Sequence, residues 1–76
     1  MKELVEYIAK ALVSFPDDVK VTEEEEEEGH TVISLEVNPE DKGRIIGRQG
    51  RVAQAIRVLL RVAAVKDGIR VSLEII

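Results

Sequence analysis

Two glycines three residues apart, Gly47 and Gly50, enclose Arg48 and Gln49, with Lys42, Arg44 and Arg51 close on either side. These residue types suit a non-covalent grip on an anionic chain. Glycine removes Cβ, so another backbone can come close. Arginine and glutamine supply donors for phosphate oxygens. A helix beginning near Arg51 would add unpaired N–H groups and a partial positive charge. The G-x-x-G pair alone is weak, because chance produces one in about a third of chains this long.

Nothing in the chain supports catalysis. There is no cysteine, and His30 is the only imidazole. Disulfides, thiolate-held metals, multi-histidine clusters and a Ser-His-Asp triad are therefore excluded. The G-x-x-x-x-G-K-[ST] loop of phosphoryl-transfer enzymes is absent. Glu23–Glu28 are hard-cation ligands by type, but consecutive residues on a strand point to alternate faces. The run reads as a solvated hairpin that repels phosphates, and His30 as a polar turn residue. No cofactor, no metal and no enzymatic activity are expected.

The net charge of −4 argues at first against a polyanionic partner. Its distribution reverses that. Between Lys42 and Lys66 stand seven cations and no acid, whereas the rest of the chain holds 4 Lys and Arg against 15 Asp and Glu. Such segregation creates a field that draws anions to one side. Membrane insertion is not indicated, since no apolar run nears the ~20 residues a span needs. Glu3, Glu6 and Lys10 make MKELVEYIAKALV a poor signal peptide. A single domain over residues 1–76 and a cytoplasmic location are expected.

The elements that must carry the glycine pair follow from periodicity. Leu4, Val5, Ile8, Ala9, Leu12 and Val13 form one helical stripe over residues 2–14, ended by Pro16. Val19 and Val21, then Ile33, Leu35 and Val37, alternate as two strands joined near Gly29, their apolar side inward. Asn38-Pro39-Glu40-Asp41 starts a short helix, with Asn38 as cap and Pro39 in the first turn. Residues 51–65 form another helix, burying Val52, Ile56, Leu60 and Ala63. Lys66-Asp67-Gly68 turns into a last strand of Ile69, Val71, Leu73 and Ile75. The order is helix, strand, strand, helix, G-x-x-G, helix, strand.

That order, and the run Ile45-Ile46-Gly47-Arg48-Gln49-Gly50 followed by Val52 and Ile56, resembles the KH (K-homology) RNA-binding fold. The element order looks like the type II arrangement. The resemblance covers residues 1–76, and in length the chain looks most like the small stand-alone bacterial KH proteins of the KhpA family. Ala53 departs from the larger aliphatic residue common there. The resemblance implies an α+β fold, with three helices on one face of a three-stranded sheet. It implies single-stranded RNA on the loop, with a role as RNA chaperone or post-transcriptional regulator.

The expected RNA site comprises Lys42, Gly43, Arg44, Ile46, Gly47, Arg48, Gln49, Gly50, Arg51, Val52 and Ala53. Bases would turn to an apolar cleft bordered by Gly43, Ile46, Val52, Ala53 and the last strand. Ile45 reads as core, and Ile46 fits core or groove. Arg57 and Arg61 read as a solvated face. The only aromatics, Tyr7 and Phe15, lie outside the basic third, so base stacking cannot carry the contacts. One weak site suggests a second copy. Ala55, Val58 and Val62 fall on an apolar flank of the long helix, with Leu59 between flank and core. The resemblance likewise implies self-association and pairing with a larger KH-containing partner, KhpB. The rival reading is a KH-fold adaptor that dimerises and binds RNA weakly or not at all.

Overall fold

Helix α1 runs from Lys2 to Leu12 in the computed structural model, which describes all 76 residues. It stops two residues short of the expected end. The N–H groups of Ser14 and Phe15, which a longer helix would use, instead donate to the two carboxylate oxygens of Asp41, both at 3.0 Å. Pro16–Asp18 make a 3-10 turn into the sheet.

Strands β1 (Lys20–Glu27) and β2 (His30–Glu36) pair antiparallel, with Val21 opposite Leu35 and a bulge at Glu26. The glutamates thus lie mostly within β1 rather than at a hairpin tip alone. β1 is a sheet edge, and a row of charges there discourages pairing with another chain. His30 opens β2 and its Nε2 lies 2.9 Å from Ser72 Oγ, so it links strands as well as leaving the turn.

Strand β3 (Arg70–Ile75) lies parallel to β2, giving the order β1-β2-β3. Parallel neighbours need a crossover, and residues 37–69 provide it. The crossover opens with a 3-10 turn, Pro39–Asp41, where the Asn38 side chain accepts from Glu40 N at 2.9 Å. Helix α2 (Lys42–Ile46) follows directly, so the expected single helix is two short ones end to end. Helix α3 (Arg51–Asp67) consumes most of the turn expected at 66–68, and Gly68 ends it at φ 69°.

The register sets Val21, Ile33, Leu35, Leu73 and Ile75 on one side of the sheet. Val5 and Ala9 of α1, Ile45 of α2, and Ile56 and Leu60 of α3 join them in the core. On α3 the expected Ile56 and Leu60 are buried, while at either end the buried position is one residue further along, Ala53 for Val52 and Ala64 for Ala63. The buried line is therefore Ala53, Ile56, Leu60 and Ala64, while Val52 and Ala63 are half-buried. Leu59 is 51% exposed and belongs to the outer flank, not the core. The cause is local: Val52 is turned toward Gly47, which rotates Ala53 inward.

Candidate nucleic-acid interface

The loop between α2 and α3 is a tight, strained turn. Gly47 ends α2, its N–H donating to Gly43 O at 2.8 Å, with φ 78° and ψ 171°. Arg48–Gly50 form a 3-10 turn closed by Gly50 N to Gly47 O at 3.1 Å. Gln49 (φ 58°, ψ 25°) and Gly50 (φ 74°, ψ 14°) are both left-handed. Gln49 is the only non-glycine residue with positive φ. A side chain in that conformation costs about 1–2 kcal/mol, and such strain gathers at functional sites. α3 begins at Arg51 with no side-chain cap. The N–H groups of Gly50 and Arg51 donate to Gly47 O and Arg48 O within the turn, so they are not the free phosphate donors that the sequence suggests.

The glycines have different reasons to be there. A Cβ at Gly47 would lie 2.8 Å from Val52 N and closer still to the Val52 side chain. Gly47 is therefore required by the loop's own packing, and the expectation that it opens the surface to a ligand is corrected. At Gly43 and Gly50 nothing lies within 4 Å of such a Cβ, and a polymer backbone can approach there. Arg48 and Gln49 are exposed between them. Ile45 is fully buried and anchors α2, whereas Ile46 is 38% exposed beside the loop. Val52 is half-buried. Ala53 is 3% exposed, so it lies beneath the surface rather than forming a groove wall.

None of the seven cations from Lys42 to Lys66 is in an ion pair. The three ion pairs of the chain lie elsewhere, joining the N-terminus to Glu3, Lys10 to Glu6 and Arg70 to Glu27. Lys42, Arg48 and Arg51 are exposed around the loop. Arg44 is committed in part. Its Nη1 donates to Leu12 O at 3.3 Å and Ser14 Oγ at 3.2 Å, placing its charge at the C-terminal, negative end of α1. It ties α1 to α2 through Nη1, and the rest of its guanidinium stays exposed.

Two residues gain roles that the sequence reading did not assign. Asp41, the one buried charged residue, fixes the α1 exit onto the start of α2. Arg57 is half-buried, not solvated, and its Nη2 donates to Leu73 O at 3.4 Å. Its spacing was the available signal: four residues after Ala53 and three before Leu60, it borders the buried line. Ala55, Val58, Leu59 and Val62 are all exposed, and Val65 extends their stripe. The loop is not an enclosed cleft. The one sizeable hollow, about 480 Å³, lies along α1 and is lined by Glu3, Glu6, Tyr7, Lys10 and Ala11. No helix is long and apolar enough to cross a membrane.

A three-stranded mixed sheet with a parallel β2–β3 pair, three helices on one face and a glycine-bounded turn between α2 and α3 defines a KH domain of type II. Comparison with known proteins narrows this. The family model for the KhpA/KhpB KH domain matches residues 2–75, and the chain belongs to that family. It is 53% identical, over the whole of both chains, to the RNA-binding protein KhpA of Clostridium perfringens. It is 55% identical, again over the whole of both, to the RNA-binding protein KhpA of Caldanaerobacter subterraneus subsp. tengcongensis. A third relative, the RNA-binding protein KhpA of Borreliella burgdorferi, is 49% identical across 97% of this chain and 89% of its own. No solved structure matches.

Proposed function

We propose that this protein binds single-stranded RNA, with the strand's phosphates against the Gly43–Arg51 segment and its bases over the rim of Ile46, Val52 and β3. The observation that carries the reading is the left-handed pair Gln49–Gly50 at the tip of an exposed turn, among cations with no acidic partner. The relatives' names support RNA as the ligand. The protein is a binding module and not an enzyme. Its role is that of an RNA chaperone or post-transcriptional regulator in the bacterial cytoplasm.

The test replaces Arg48 and Gln49 together by aspartate. Affinity for an unstructured RNA should fall at least tenfold, while the circular dichroism spectrum and thermal midpoint stay those of the parent. Undiminished binding would refute the loop assignment.

The exposed stripe of Val58, Leu59 and Val62 favours a second activity, pairing through α3. A homodimer is the simplest product, and a KhpB-like KH protein is the other partner the shared family model supports. In the adaptor reading, pairing is the whole function. A parent protein that dimerises yet gives no salt-sensitive RNA binding would establish it.

A further inference from the structure

Arg57 occupies a place that packing alone does not explain. It is half-buried against β3, and no carboxylate pairs with it. Its single hydrogen bond, Nη2 to Leu73 O, is long at 3.4 Å. That carbonyl faces the open edge of the sheet. β3 is a terminal strand, and the N–H groups of Arg70 and Ile76 donate toward β2, to Gly29 O and Leu35 O. Leu73 is three residues from each, so its own peptide groups turn the other way. A partly desolvated guanidinium with one weak acceptor for five N–H donors is under-used. The side chain lies where α3 meets β3, and its other N–H groups have no acceptor within the protein.

We propose that Arg57 is the residue that reads a base, and that it prefers cytosine over uracil. This inference rests on the loop holding the RNA backbone. Arg57 lies six positions beyond Arg51, about 9 Å further along the helix, so bases of a strand held at the start of α3 reach toward it. Without aromatic rings on this face, discrimination has to come from hydrogen bonds to base edges. Cytosine offers O2 and N3 as adjacent acceptors for the planar fork of arginine. Its N4 amino group then faces the Leu73 carbonyl, which has a second lone pair. Uracil mismatches at two of the three positions: a donor, N3–H, meets the fork, and an acceptor, O4, meets the carbonyl.

The experiment measures fluorescence anisotropy with ten-residue oligocytidylate and oligouridylate at one salt concentration, for the parent, Arg57→Lys and Arg57→Gln. Lysine keeps the charge without the fork, and glutamine keeps a donor for Leu73 O. The parent should bind oligocytidylate about tenfold more tightly, the discrimination expected of one bidentate contact. Both variants should bind the two oligonucleotides within about twofold of each other, with the loss on cytosine. The Arg48, Gln49 double aspartate should weaken both equally, separating the backbone grip from base reading. Equal binding of both oligonucleotides by the parent, or a cytosine preference surviving in both variants, overturns the role of Arg57. Failure of the parent to bind either one overturns the loop reading itself.

Discussion

Alanine at position 47 would bring a Cβ to 2.8 Å from the Val52 nitrogen and 2.7 Å from the Val52 Cβ, well inside van der Waals contact. The backbone adds a second cost, since φ 78° with ψ 171° is a region populated almost solely by glycine. That conformation costs a side-chain-bearing residue about 1–3 kcal/mol, and overpacking of this kind costs about 1–3 kcal/mol more. Together they give about 4 kcal/mol, against a total stability of about 4–11 kcal/mol for a chain of this length. Gly50→Ala is the control. Its φ of 74° is also left-handed, but nothing lies within 4 Å of the new Cβ, so only about 1–2 kcal/mol is lost.

Thermal melting resolves the difference, because each kcal/mol shifts the midpoint of a domain this small by about 4–8 °C. Gly47→Ala should lower the midpoint at least twice as far as Gly50→Ala. Adding Val52→Ala should recover part of the loss at position 47 and none at position 50, as expected for residues in direct contact. Equal destabilisation by the two alanines, or no coupling to Val52, would refute the assignment of Gly47 to internal packing.

Asp41→Ala strands two backbone donors, Ser14 N and Phe15 N, and should cost about 2–4 kcal/mol in urea denaturation, comparable to a core truncation. Gln49→Gly relieves the one strained non-glycine residue and should raise stability by about 1 kcal/mol while weakening RNA binding; calorimetry and anisotropy on one sample read the opposed signs. Val58→Glu should shift sedimentation toward a monomer without altering the thermal midpoint of the isolated chain by more than a few degrees. If three or four phosphates are neutralised at the loop, the logarithm of the RNA association constant should fall with that of salt concentration at a slope of about −2 to −3.

Element types and order were legible because the periodicities are strong. The 2.0 alternation of Ile33, Leu35 and Val37 and the stripe of α1 each admit one assignment. Boundaries were less so, because they depend on partners distant in sequence. α1 ends at Leu12 because, after Val13 closes the last turn onto Ala9 O, Asp41, 27 residues beyond Ser14, takes the N–H groups of Ser14 and Phe15. No local rule anticipates that. At the start of α3 the exchange of Val52 for Ala53 has a nearer cause, since Val52 packs on Gly47 across the turn. At the site, the sequence located the loop and its cations but could not sort them. Arg44 and Arg48 look alike on paper. Only the fold puts Leu12 O and Ser14 Oγ beside Arg44 and leaves Arg48 exposed.

The arrangement of α3 makes RNA binding and pairing compatible. Its buried line faces the sheet, Arg57 borders that line beside β3, and Val58, Leu59 and Val62 occupy the outer side. A second copy packed on the outer side would leave the Gly43–Arg51 segment and the rim at Leu73 uncovered on both molecules. Each site is small and without aromatic stacking, so its affinity alone is modest. Two sites carried on one rigid helix pair would engage the same strand with a high effective concentration, which multiplies affinity without a new base contact. On this account, a charge at Val58 weakens RNA binding from a distance. The loss should be large for an RNA long enough to span both loops and small for one that fills a single loop.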